Sequence, residues 1–148
     1  MAVSRFLLTC LLCLPLSAQA GPATEALGQC LIGKTTGDDR MVMMRWMTVA
    51  FASHPSVADV VTLDRSKVAA IDQAMADLVT DLLVTRCHDQ TIAAVAEAGS
   101  PGIALQTAFE ALGGTAAQEA MQAPEVNQSV LGFSKYLDEK KLNEVLQQ

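Results

Sequence analysis

Residues 68–87 read VAAIDQAMADLVTDLLVTRC. Val68, Ile71, Met75, Leu78, Val79, Leu82 and Leu83 recur at three- and four-residue steps, the spacing of one buried face on an α-helix. Cys87 extends that face. Asp64 or Ser66 stands where the helix needs an N-cap. The pattern runs on through Ile92 and Val95 to Gly99, with or without a kink.

The segments on either side carry the same period. Ala23, Ala26, Leu27, Cys30 and Leu31 predict a first helix over 23–34. Thr36 and Asp39 have capping-box spacing and open a second helix over 38–53. Residues 41–52 are apolar nearly all round except for Arg45 and Thr48, the composition of a helix central to a bundle. His54-Pro55 stops it, because proline disfavours helical geometry in the residue before it. A short turn of helix fits 56–62. Downstream, Ser100-Pro101 starts a helix that Gly113-Gly114 is expected to end. Thr115 with Gln118 then caps a short helix over 115–122. Pro124 begins a segment to 137, and Asp138 caps a terminal helix carrying Leu142, Val145 and Leu146. Period-two runs of β-branched and aromatic residues are absent. The expected fold is all-α, a compact bundle of about five to seven helices with one disulfide.

The first twenty residues read as a secretory signal. Arg5 is a positive charge near the start, residues 6–16 are an apolar run of eleven, and Ala18-Gln19-Ala20 offers small side chains at the cleavage positions. A bilayer core needs about 20 apolar residues in a helix, and Pro15 ends this run early. Cys10 and Cys13 lie inside it without the small residues that precede a lipidated cysteine. Cleavage after Ala20 leaves a single helical domain over 21–148, expected in the periplasm. Of ten basic residues Arg5 is lost, and of sixteen acidic ones none, so the mature net charge is −7. Such a domain is a poor partner for nucleic acid or anionic lipid. No other stretch is long and apolar enough to insert stably in a membrane.

Two of the four cysteines leave with the signal. Cys30 and Cys87 remain, both on predicted buried helix faces, and an oxidising compartment makes a disulfide the default. A redox motif has closely spaced cysteines, and these are far apart.

The residues that invite chemistry each have a structural reading beside the functional one. Residues 35–40 (TTGDDR) could hold an anion at a helix N-terminus, but Asp38 and Asp39 already occupy the favourable negative end, so capping is expected. Arg40 and Arg45 flank a very apolar helix. A buried arginine must be paired. Pairing with a protein carboxylate, such as Asp38, Asp39, Asp59 or Asp64, is expected ahead of a ligand carboxylate or phosphate. Trp46 is the only tryptophan, a core anchor or a rim residue with its indole N–H outward. Met41, Met43, Met44 and Met47 could bind Cu(I), line an adaptable groove, or simply pack the core. His54 and His88 are the only histidines. Catalysis or zinc binding would need them together beside a carboxylate. No metalloprotease, nucleophile-elbow or phosphate-loop motif is present. These residues call for no catalytic group, no metal and no cofactor.

The stretch Cys30-Leu31, Thr35-Thr36-Gly37, Asp39-Arg40, Arg45-Trp46, Ala50 and His54-Pro55 resembles the signature of an uncharacterised family of small exported bacterial proteins. The resemblance covers about 26 residues near the mature N-terminus. It implies a periplasmic setting in a Gram-negative bacterium and carries no activity. Together these features point to a non-enzymatic module that binds a protein partner or a small apolar ligand, with Arg40, Arg45, Trp46 and His54 as the candidate surface. The alternative is a small enzyme or metal-handling protein using His54 and His88 or the methionine cluster.

Overall fold

The computed structural model describes residues 21–147, so the proposed signal segment lies outside the described residues. The fold is an all-α bundle. In order come α1 (Pro22–Lys34), α2 (Gly37–Ala52), a 3₁₀ turn (Pro55–Val57), α3 (Arg65–Asp81), a π-helical turn (Leu82–Arg86), α4 (His88–Ala98), α5 (Pro101–Ala120), α6 (Pro124–Leu131), a second 3₁₀ turn (Gly132–Tyr136) and α7 (Glu139–Leu146). Among the described residues there is no strand.

Three helices make the core. α1 packs against both α4 and α5. It buries Leu27 and Leu31, while α5 contributes Ala104, Ala108, Leu112 and Ala116 and α4 contributes Ala94. The small side chains let the backbones approach. A Cβ added at Gly28 of α1 would sit 3.6 Å from the Cβ of Ala111 on α5. The start of α1 is held by α4, whose Glu97 carboxylate accepts the backbone N–H groups of Ala23 and Thr24 at 2.9 Å each. That places a negative charge where the free amides and the helix dipole favour one.

The π turn explains how the long apolar pattern of residues 68–87 ends. The Cys87 N–H donates to the carbonyl of Leu82, five residues back, at 2.8 Å. In an α-helix two residues five apart point about 140° away from each other. The wider turn brings Cys87 back onto the face that holds Leu82, and both are fully buried. Cys87 thereby meets Cys30 of α1. The two form a disulfide with the Cα atoms 5.9 Å apart, closing a loop of 57 residues. α4 then starts afresh at His88 and ends at Gly99, whose φ of 63° is the left-handed value a terminating glycine supplies.

Two expectations are overturned. α2 is not the centre of the bundle. Met43 is its one buried residue, and the helix lies at the rim against α3 and α5. A helix that is apolar all round has no preferred face to bury, and the alanine-lined α5 takes the central place instead. Gly113-Gly114 also does not stop a helix. α5 runs through both to Ala120, so the proposed cap at Thr115 is interior, its hydroxyl bonded to the Ala111 carbonyl at 3.1 Å. Glycine costs about 1 kcal/mol in a helix. Burying Leu112 and Ala116 on either side offsets that.

The last part of the chain is different in kind. No side chain between Pro124 and Leu146 is buried. Leu131, Phe133, Tyr136, Val145 and Leu146 are all more than half exposed. None of the described helices is long and apolar enough to cross a membrane.

Candidate functional site

The TTGDDR stretch is a structural joint. Thr36 accepts the Asp39 N–H at 3.2 Å, and the Asp39 carboxylate accepts the Thr36 N–H at 2.8 Å, the reciprocal capping box the spacing predicts. Asp39 does more than cap. Its Oδ2 also accepts the Arg86 guanidinium at 2.6 Å. Arg86, at the end of the π turn, reaches Asp81 of α3 at 2.7 Å and the Lys34 carbonyl of α1 at 3.0 Å. One planar fork therefore ties the end of α1, the start of α2 and the end of α3 beside the disulfide, a geometry a lysine cannot reproduce.

Burial works to raise the Asp39 proton affinity, but the bonds from Arg86 and Thr36 outweigh it and hold the carboxyl below its usual value. The folded form gives up this proton more readily than the unfolded chain. The contribution to stability is thus complete above the unfolded value near 3.9 and is lost as pH falls through the folded one. Acid titration followed by circular dichroism should show wild-type stability declining below about pH 4. Asp39→Asn should flatten part of that decline, with Asp64 and Asp138, held low by their own capping bonds, supplying a remainder. An unchanged acid limb in Asp39→Asn would contradict the joint.

A protein carboxylate holds Arg40, as expected, but it comes from a distant helix; Arg45 has no such partner among the described residues. Arg40 pairs with Glu119 near the end of α5 and donates to the Thr35 carbonyl at 2.9 Å. A partner 79 positions away leaves no local signal in the sequence. Arg45 pairs with none of Asp38, Asp39, Asp59 or Asp64. Asp39 is taken by Arg86, and Asp64 accepts from Ser66 and pairs with Lys67 at 3.3 Å.

Around α2 the structure opens two apolar cavities. The larger, about 860 Å³, lies between α2, α3 and α5. Met43, Trp46, Met47 and Phe51 line it from α2, Met75 and Val79 from α3, and Phe109 from α5. Gly113 is part of its wall, with nothing within 4 Å of the place a Cβ would take. Trp46 is a rim residue, 37% exposed. Of the four clustered methionines, Met43 and Met47 face this groove while Met41 is exposed elsewhere.

The four candidate surface residues are not brought together. Arg40 is engaged at the far end of α5, Trp46 lines the large groove, and Arg45 borders the smaller cavity. His54 sits past the end of α2 in a third cleft, with Arg65 and Asp72, where its Nδ1 accepts the Ser56 N–H at 3.2 Å. His88 is exposed at the start of α4 and bonds Asp89 at 2.9 Å. Among the described residues no three His, Cys, Asp or Glu side chains stand together to hold a metal. Met75 and Val79 are expected from the sequence only as part of the buried face of their helix, and Phe109 carries no signal of its own. Only the packing shows that these side chains line an opening.

Comparisons with family models, with curated proteins and with solved structures each returned no match.

Proposed function

We propose that the chain is an exported, non-enzymatic binding module that takes a small apolar ligand with a flexible hydrocarbon chain into the groove between α2, α3 and α5. The carrying observation is the groove itself, about 860 Å³ and walled by two aromatic rings of α2, one of α5 and three methionines. Its size falls in the range of small-molecule sites, which are concave and mainly apolar. Unbranched methionine side chains adapt to flexible guests. The disulfide supports a setting outside the reducing cytoplasm, in line with the signal segment and with the resemblance to small exported bacterial proteins. A protein partner is the second reading, favoured by the uncovered apolar side chains of residues 130–146. The catalytic alternative draws on His54 and His88, which the fold holds apart; for the methionines, the apolar wall they share with Trp46, Phe51 and Phe109 favours an apolar guest.

The test uses displacement of N-phenyl-1-naphthylamine by straight-chain alcohols. Affinity should tighten by roughly fourfold for each added CH₂ until the groove is full, since each buried methylene contributes about 0.8 kcal/mol. Gly113→Leu fills open space at the wall and replaces a poor helix former with a good one. It should weaken binding at least tenfold while leaving the melting temperature unchanged or higher. Alcohols that bind without regard to chain length, or equally to Gly113→Leu, would sink the reading.

A further inference from the structure

We infer that the smaller cavity, about 280 Å³ between α2 and α3, is a separate site for a small amphiphilic anion, a carboxylate carried on a short apolar body. The inference does not rest on the larger groove. Val42, Ala70, Ile71 and Ala74 form its apolar lining, and Arg45 and Lys67 are its charged members. No acidic residue lines it, although the chain carries sixteen acidic residues against ten basic ones.

Arg45 is what distinguishes the site. Among the described residues it makes no ion pair and no hydrogen bond, and three carboxylates of the neighbouring helix ends hold other partners. Asp39 holds Arg86, Glu119 holds Arg40, and Asp64 holds Lys67 and the Ser66 hydroxyl. A guanidinium offers two parallel donors that match a carboxylate. Lys67, itself 73% exposed on the side chain and 3.3 Å from Asp64, adds a second positive charge. The volume sets the size of the guest. At about 30 Å³ for each molecule of liquid water, the cavity takes a guest of roughly ten non-hydrogen atoms. Octanoate has that size and polarity.

The experiment is a methyl-resolved NMR titration of the disulfide-bonded protein with octanoate, octanol and octylammonium. Octanoate should shift the methyls of Val42, Ala70, Ile71 and Ala74 saturably, about tenfold more tightly than octanol, and octylammonium should leave them unmoved. Arg45→Gln, an exposed substitution that keeps the fold, should raise the octanoate dissociation constant about tenfold without changing octanol. Equal binding of octanol and octanoate, an unaffected Arg45→Gln, or no saturable shift would each overturn the site. Shifts confined to Ala50, Ala76 and Val79 would place octanoate in the larger groove, which overturns this inference and leaves the groove reading standing. Loss of alcohol binding in Gly113→Leu with octanoate binding intact would confirm that the two sites are distinct.

Discussion

Replacing both Cys30 and Cys87 by alanine is expected to destabilise the fold by about 4 kcal/mol. The bridge closes a loop of 57 residues, and on the chain-entropy view that closure restricts the unfolded chain by this amount. A domain of this size has a total stability of roughly 5–15 kcal/mol, so the bridge is a large share of it. The melting temperature should drop by roughly 15 °C. Alanine is the right replacement because Cys87 is fully buried, and a serine hydroxyl would add the separate cost of an unpaired polar group. Reduced wild-type protein should melt close to the double variant. Denaturation followed at 222 nm, with a difference under about 1 kcal/mol, would show that the core of α1, α4 and α5 holds without its staple.

Leu82→Ala is expected to cost about 3–4 kcal/mol. Leu82 is fully buried in the π turn, on the face that also carries Cys87. The loss includes the transfer free energy of the missing methyl groups and the cavity they leave. The neighbouring disulfide prevents the surroundings from collapsing into that cavity, which argues for the upper part of the usual range. Val84 stands two residues on in the same turn and is 62% exposed. Val84→Ala should lie within about 0.5 kcal/mol of wild type. Urea midpoints at constant slope measure both. Similar values for the two variants would mean that the π turn does not orient its residues as described.

Much of the fold was legible because periodicity, caps and prolines agree locally. The first helix is expected over 23–34 and spans Pro22–Lys34, the second over 38–53 and spans Gly37–Ala52. The capping box at Thr36 and Asp39 and the cap at Asp64 are where the spacing puts them. The pairing of Cys30 with Cys87 followed from two cysteines on two apolar faces. What failed was whatever depends on the third dimension. Gly113-Gly114 reads as a stop from propensity alone, yet the burial of Leu112 and Ala116 carries α5 across it. The apolar α2 reads as a centre, yet only Met43 is buried there, because a helix without a polar face gives no direction to its packing. Arg40 and Arg86 find partners on distant helices, and no spacing rule reaches those. The candidate site shows the same limit. Trp46 and the methionine cluster of Met41, Met43, Met44 and Met47 were visible, but of the opposite wall Met75 and Val79 read as an ordinary buried face and Phe109 gave no signal.

The measurement that bears most directly on the binding reading is energy transfer from Trp46. It is the only tryptophan in the chain and lines the groove, so the donor emission comes from one known place, and the Gly113→Leu comparison tells whether the probe sits in the groove. Titration with N-phenyl-1-naphthylamine should quench Trp46 saturably at one probe per chain and raise probe emission, with both effects strongly weakened in Gly113→Leu. Trp46 emission that stays constant, or falls linearly without saturation and equally in Gly113→Leu, would contradict a ligand groove between α2, α3 and α5.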